Sequence, residues 1–255
     1  MPAGRRQNRI GFKDPLQLVP RVLTKLYTLW VTATHPFASL GKGVEVHYTC
    51  DLRNTGLMKL GSFITILKDT RLHALPSAMN ESLPALTIGD HCFIGPRCHI
   101  AALNRIHIED NVLFAASVLV QDRGHNFSDI TRPIIEQGYV QGGTIRIGAG
   151  SWIGQGAVII CDSGELTLGR NCVVAANAVV TRSAPDYSVL SGNPARIVKQ
   201  YVPVKGAWVL GSAHIEERDE VKAQAAQVRA AISNSEAKAK VQRATAAPGV
   251  GEPGQ

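Results

Sequence analysis

Between Leu86 and Thr181 the chain repeats one pattern at a spacing of six residues, and this period constrains the fold more than any other feature. The repeats fall in four groups of three, separated by a slip of two, a long interruption and a slip of three. Aliphatic or aromatic residues fall at Ile88, Ile94 and Ile100, then at Ile108, Phe114 and Val120. They recur at Ile147, Ile153 and Ile159, and again at Leu168, Val174 and Val180. Many are followed by Gly or Ala, and the residue two places earlier is small or aliphatic: Leu86, Cys92, Cys98, Ile106, Val112, Val118, Ile145, Ser151, Ala157, Leu166, Cys172 and Ala178. Residues two apart share one face of a strand. A helix cannot use a strict period of six, because its turn holds 3.6 residues and positions six apart diverge. The pattern therefore predicts short strands joined by tight corners. Three strands close one triangular coil of about 18 residues, and stacked coils bury a continuous prism-shaped core. Gly or Ala after an inward residue suits a corner that needs unusual φ/ψ or close backbone approach.

The repeat is weaker upstream. Val46, Leu52, Met58 and Ile64, or in a frame shifted by two Leu60, Ile66 and Leu72, suggest two more coils, and 77–84 reads as a loop. One long interruption separates Val120 from Ile145. The fold class expected is an all-β solenoid with helical flanks. Residues 1–40 read as a basic arm with an amphipathic helix, and 41–200 as the coil, interrupted by a loop over 123–144. Residues 201–235 read as a C-terminal strand and helix, and 236–255, rich in Ala, Pro and Gly, as a disordered tail.

The net charge of +7 is unevenly placed. Residues 1–25 hold six basic and one acidic side chain and 196–255 nine and six, whereas 26–195 hold 12 basic and 13 acidic. A continuous nucleic-acid-binding surface is therefore not expected. Five cysteines without metal-finger spacing read as reduced thiols of a cytoplasmic protein. No uninterrupted apolar run is long enough to span a bilayer. Pro15–Val31 comes nearest, broken by Arg21 and Lys25. It reads first as a helix packing on its own protein, with peripheral attachment to an anionic inner-membrane face as the alternative.

Four segments carry a resemblance: Asp122-Arg123-Gly124-His125, Arg132-Pro133-Ile134, Ser151-Trp152-Ile153-Gly154, and the run from Ser191-Gly192-Asn193-Pro194 to Lys199. Over roughly residues 41–200 the chain resembles the left-handed β-helix hexapeptide acyltransferases, in the branch of galactoside, maltose, streptogramin and polysaccharide O-acetyltransferases. Left-handedness comes from the resemblance alone, since the general rule favours right-handed crossovers.

An insertion in a solenoid forms a loop on one face, often the binding face, and His125 stands at the entrance of this one. The resemblance makes His125 the general base that deprotonates an acceptor hydroxyl, which then attacks acetyl-CoA directly with no acyl-enzyme. A neutral imidazole suits that task. Asp122 either orients His125, binds acceptor, or is a solvated corner carboxylate. Arg123, which occupies a position where many relatives carry a second histidine, is with Asp122 a candidate for binding the acceptor or orienting His125. The other seven histidines read as structural. Cys92, Cys98 and Cys172 sit in the inward register and are not nucleophile candidates, and Cys161 reads as a corner residue.

By the same resemblance, Trp152, Gly154 and Gln155 lie near the thioester, with Gln155 supplying a backbone amide. Ala176, Thr181 and Arg182 line the pantetheine groove, and Arg196 and Lys199 meet the adenosine phosphates. Ordinary solvated surface is the competing reading of those three cations. Gly148–Gly154 mimics a dinucleotide-binding fingerprint but has no strand–turn–helix setting. The function expected is O-acetyl transfer from acetyl-CoA to a sugar hydroxyl of an exopolysaccharide, capsule or lipopolysaccharide precursor. The alternatives are a free sugar, antibiotic or amino sugar as acceptor, and a non-catalytic scaffold. A zinc-dependent carbonic anhydrase is disfavoured because no two histidines lie five residues apart, and no metal is expected. A homotrimer is expected, with each site between two subunits.

Overall fold

The computed structural model describes residues 18–76, 84–140, 142–202 and 205–210. The helix expected from His214, the tail beyond it, the start of the N-terminal arm and the 77–83 part of the expected loop lie outside the described residues.

The chain is a left-handed parallel β-helix of six coils. One strand of each coil joins each of three sheets. The first sheet stacks Ser39–Leu40, Met58–Leu60, Leu86–Ile88, Arg105–Ile108, Thr144–Ile147 and Glu165–Leu168. The second stacks Glu45–Val46, Thr65–Ile66, Phe93–Ile94, Leu113–Phe114, Trp152–Ile153 and Val173–Val174, and the third Asp51–Arg53, Arg71–Ala74, His99–Ala102, Leu119–Gln121, Val158–Ile160 and Val179–Val180. The pairing registers align the six-residue frame from coil to coil: Ile106 with Leu86 and Ile145, Phe114 with Ile94 and Ile153, Val120 with Ile100 and Ile159. Those inward residues are all fully buried, and Cys92, Cys98 and Cys172 are buried among them. Each large aliphatic so placed contributes on the order of 1.5–3 kcal/mol of transfer free energy.

Upstream, the two competing frames prove to be one. Met58 and Leu60, like Ile64 and Ile66, all point inward, as the i−2 and i positions of the second coil. The corners also sharpen the expectation about glycine. The left-handed backbone lies three residues after the inward residue, at His91, Arg97, Asn111, Ser117, Gly150, Gly156, Asn171 and Asn177. The residue directly after the inward one is small because the next coil is too near. A Cβ on Gly154 would stand 2.7 Å from Ala176 N and from Val174 O.

The third corner, from third sheet to first, is the one whose length varies, and the 123–143 loop leaves from that edge. Past the sixth coil, Ser188–Ser191 extends the second sheet in parallel, and Arg196–Val202 folds back antiparallel on it. The turn between them contains a cis Asn193–Pro194 bond and is tied to the sixth coil by Ala195 N–H donating to Val179 O at 2.7 Å. The N-terminal helix runs over Leu18–Thr34, ending three residues beyond the expected Val31, since nothing breaks it before Pro36.

Candidate active site

Asp122 ends the regular part of the fourth coil and is fully buried. Its Oδ1 accepts from Leu103 N–H at 2.6 Å, and its Oδ2 from the N–H groups of Asn104 at 2.9 Å and Arg105 at 2.7 Å. This corrects the expectation for Asp122. The carboxylate is not solvated, and its oxygens face backbone donors of the neighbouring corner rather than the His125 ring. Burial pushes its carboxyl above the usual range, opposed by those three donors. The backbone carbonyl of Asp122 takes the N–H of Gly143 at 2.8 Å, which pins the far end of the loop beside its start.

Between these anchors the loop is a closed hairpin. Val140 N–H donates to Gly124 O at 3.0 Å and Asn126 N–H to Gly138 O at 2.9 Å, so His125 and Tyr139 face each other as an antiparallel pair. Farther out, the Gln137 amide closes the tip. It accepts from Asp129 N–H at 3.1 Å and donates to the carbonyls of Asp129 and Arg132 at 2.8 and 2.9 Å. His125 is exposed at the neck. The Tyr139 ring packs against it and also carries the Arg123 guanidinium. Sequence reasoning missed Tyr139. Its only signal was membership of the insertion, and the pairing that brings it to His125 depends on hairpin register.

The other described histidines have structural settings or ordinary neighbours. His73 Nε2 lies 2.9 Å from Asp51 Oδ2, His91 stacks on Phe63, and His47 Nδ1 lies 3.0 Å from Thr49 Oγ1. Burial lowers the pKa of His47, His99 and His107, which favours their neutral forms. His214 lies outside the described residues. The thiols are equally unsuited to nucleophilic work: burial pushes Cys92 up to about 11 and raises Cys98, Cys161 and Cys172.

The residues expected on the donor side gather elsewhere, at the edge between the second and third sheets. Gln155 and Ala176 occupy the same corner position in adjacent coils, both exposed, and Gln155 O accepts from Asn177 N–H at 2.9 Å. The Gln155 N–H donates no hydrogen bond among the described residues, which leaves it available to a ligand. Gly154 is buried beneath, and Trp152 stands half-exposed on the second sheet in line with Leu113 and Val173. Thr181 and Arg182 follow the last strand of the third sheet, and both are exposed. Arg196 and Lys199 are exposed on the returning strand, whose preceding turn is bonded to Val179. Arg182, Arg196 and Lys199 join no ion pair among the described residues.

Within one chain, then, the structure unites His125, Arg123 and Tyr139 at one edge of the prism. Gln155 and Ala176 lie at another, and the width of the third sheet separates the two edges.

Comparison with known proteins agrees with the coil. The sequence profile "Hexapeptide repeat of succinyl-transferase" matches residues 85–120 and 144–182, on either side of the loop. A protein of Mycobacterium tuberculosis named a probable acetyltransferase is 34% identical over 166 residues, covering 65% of this chain and 51% of that protein. The match thus spans about half the length of that relative. A candidate lipopolysaccharide biosynthesis O-acetyl transferase of Escherichia coli is 25% identical over 169 residues, covering 64% of this chain and 82% of the relative. Among solved structures, an N-acyltransferase of Bacillus cereus in complex with dTDP and 3-hydroxybutyryl-CoA superposes with a TM-score of 0.58. It is 19% identical and covers 78% of this chain and 96% of its own, so it bears on the fold alone. Coil, interruption and relatives converge: the coil carries the hexapeptide repeat on both sides of the loop, and the chain is similar to proteins named as acetyltransferases.

Proposed function

We propose that this protein transfers an acetyl group from acetyl-CoA to a sugar hydroxyl, in the assembly of a surface polysaccharide or lipopolysaccharide precursor. The observation that carries the reading is His125 itself, exposed on a closed hairpin at the mouth of the long interruption, with Tyr139 and Arg123 packed around it. The sugar acceptor is supported by the Escherichia coli relative's name.

A neutral His125 imidazole nitrogen takes the proton of the acceptor hydroxyl as the oxygen attacks the thioester carbonyl. The C–O bond forms, the carbonyl electrons shift onto oxygen, and the available Gln155 N–H faces that developing charge. The electrons return, the C–S bond breaks, and the CoA sulfur leaves with the proton held by the imidazole. Arg182, Arg196 and Lys199 attract the phosphates of CoA. The broad separation of His125 from Gln155 in one chain supports a homotrimer in which each site is completed by a neighbouring copy. Reduced, buried thiols support a cytoplasmic location.

The test is acetyl-CoA-dependent release of free CoA thiol across a panel of nucleotide-linked and free sugars, repeated with His125→Ala. Sugar-dependent release that falls by about 10²–10⁴-fold in the variant is the expected result. Release by the variant within threefold of wild type removes His125 from the chemistry. Absence of release with any sugar or amino sugar leaves the scaffold reading in its place.

A further inference from the structure

The N-terminal helix is oriented opposite to an ordinary surface helix, which turns its apolar stripe to the core. Its packed face is mostly polar. Thr28 Oγ1 donates to Val46 O and accepts from Val46 N–H, both at 3.0 Å, and Tyr27 Oη donates to Cys50 O at 3.2 Å. Thr24 and Val31 are the side chains it buries. The opposite face carries Val19, Val22, Leu26, Leu29 and Trp30, which are 64%, 48%, 60%, 67% and 53% exposed. At 3.6 residues per turn these five fall within an arc of about 100°. An amphipathic period locates two faces in a sequence but does not say which one packs inward. Here hydrogen bonding to the end of the coil selects the threonine face.

A contiguous apolar face of this kind marks an interaction site. Charge indicates the occupant. Lys25 is exposed beside the apolar arc, Arg21 lies one turn earlier on the same side of the helix, and no acidic residue lies between Asp14 and Glu45. Residues 1–44 hold seven basic and one acidic side chain. Two copies meeting through this face would bring like charges together. An anionic lipid surface takes both features at once, with leucines and tryptophan entering the headgroup boundary and cations meeting phosphates. No helix among the described residues is long and apolar enough to cross a membrane, and an amphipathic helix meets a lipid surface lying in the plane of the interface. We infer that the outward face of the Leu18–Thr34 helix docks the protein peripherally on an anionic phospholipid surface. The inference does not depend on the catalytic reading.

The experiment is flotation of the full chain with vesicles of equimolar phosphatidylcholine and phosphatidylglycerol, against pure phosphatidylcholine. Wild type floats with the anionic vesicles and is progressively released by salt. The double variant Leu26→Glu with Leu29→Glu binds at least tenfold less, while its thermal melt, sedimentation and acetyl transfer to a soluble acceptor stay as in wild type, because both side chains are exposed. Lys25→Glu, should the double variant not fold, weakens vesicle binding about fivefold, as expected for one basic residue near such a surface. Wild type that fails to float overturns the inference, as does a folded double variant that floats undiminished. A double variant that changes only the assembly's mass assigns the face to a second copy and also overturns it.

Discussion

The ring centroid of Tyr139 lies 4.6 Å from that of His125, the planes inclined by 36°, and the Arg123 guanidinium stands 5.1 Å from the same tyrosine ring. An exposed histidine on a loop has several open rotamers, and a ring packed against it restricts them. Tyr139 is thus a positioning residue for the proposed base. Tyr139→Ala is expected to lower kcat by roughly tenfold or more, since small misplacements of a reacting group cost up to about 10²-fold. KM for acetyl-CoA should not change. Tyr139→Phe keeps the ring and should keep the rate. Equal losses in both variants would transfer the role to the hydroxyl.

How much of this could be read beforehand follows from which interactions repeat. The coil was readable because each inward position meets the same constraint in every turn, so Ile88, Ile108, Ile147 and Leu168 report one another. His125 is singled out by the sequence because it stands where that regularity stops, and the structure places it exposed at the neck of the hairpin. Asp122 was misread because a carboxylate fastening a corner and one awaiting a ligand look alike until the partner N–H groups of 103–105 are placed. The helix was identified as amphipathic, but its orientation came from hydrogen bonds to Val46 and Cys50 that carry no sequence period.

Asp122→Asn tests the corner reading. Three backbone N–H groups converge on the carboxylate, and an amide would present its own NH₂ to at least one of them. The substitution should cost about 1–3 kcal/mol, the range for leaving a buried donor unpaired. A pH signature accompanies it. Burial raises the native pKa of Asp122 above the unfolded value of 3.8. In the window between the two, the native state holds a proton that the unfolded state has lost. Stability from this group is therefore full below the unfolded pKa and declines as pH rises through the native one. Asp51, Glu109 and Asp129 are shifted the other way but are common to both proteins. The stability of wild type minus that of Asp122→Asn, from thermal melts, should therefore decline as pH rises through that acidic window. A variant as stable as wild type with the same slope would refute the assignment.

The outward face of the second sheet carries Phe93, Leu113 and Trp152 in register on adjacent strands, 38%, 43% and 50% exposed. The proposed trimer covers this stripe. Sedimentation of wild type should give three times the 27.3 kDa chain mass. Leu113→Glu should dissociate it, because a charge directly beside two aromatic rings would be buried unpaired at the interface. The variant's coil should stay folded, as Leu113 is not part of the core. Acetyl transfer should fall with the trimer, since His125 and Gln155 lie on different edges of a single prism. A fully active monomer would show that each chain holds a complete site.

The last prediction concerns Arg182, Arg196 and Lys199. Arg196 donates from Nη1 to Ala195 O at 3.0 Å, which holds its stem on the turn that is bonded to Val179. Arg182 follows the same sixth-coil strand, and Lys199 pairs in register with Val189 on the hairpin behind it. Three cations thus belong to one end of the coil, beyond the Gln155–Ala176 corner, and none of them joins an ion pair among the described residues. Their natural counterpart is a polyanion whose reactive end reaches the corner. Replacing any one by Ala should raise KM for acetyl-CoA by roughly threefold to tenfold, with kcat little changed, because phosphates far from the thioester bind equally in ground and transition states. The difference between variant and wild type should shrink as salt is raised, since exposed charges a Debye length of about 8–10 Å apart are already largely screened at moderate ionic strength. A truncated donor such as acetyl-pantetheine, lacking the nucleotide phosphates, should be used equally well by wild type and variants. If the variants lose as much with acetyl-pantetheine as with acetyl-CoA, the cations act on the fold of the hairpin and not on the donor.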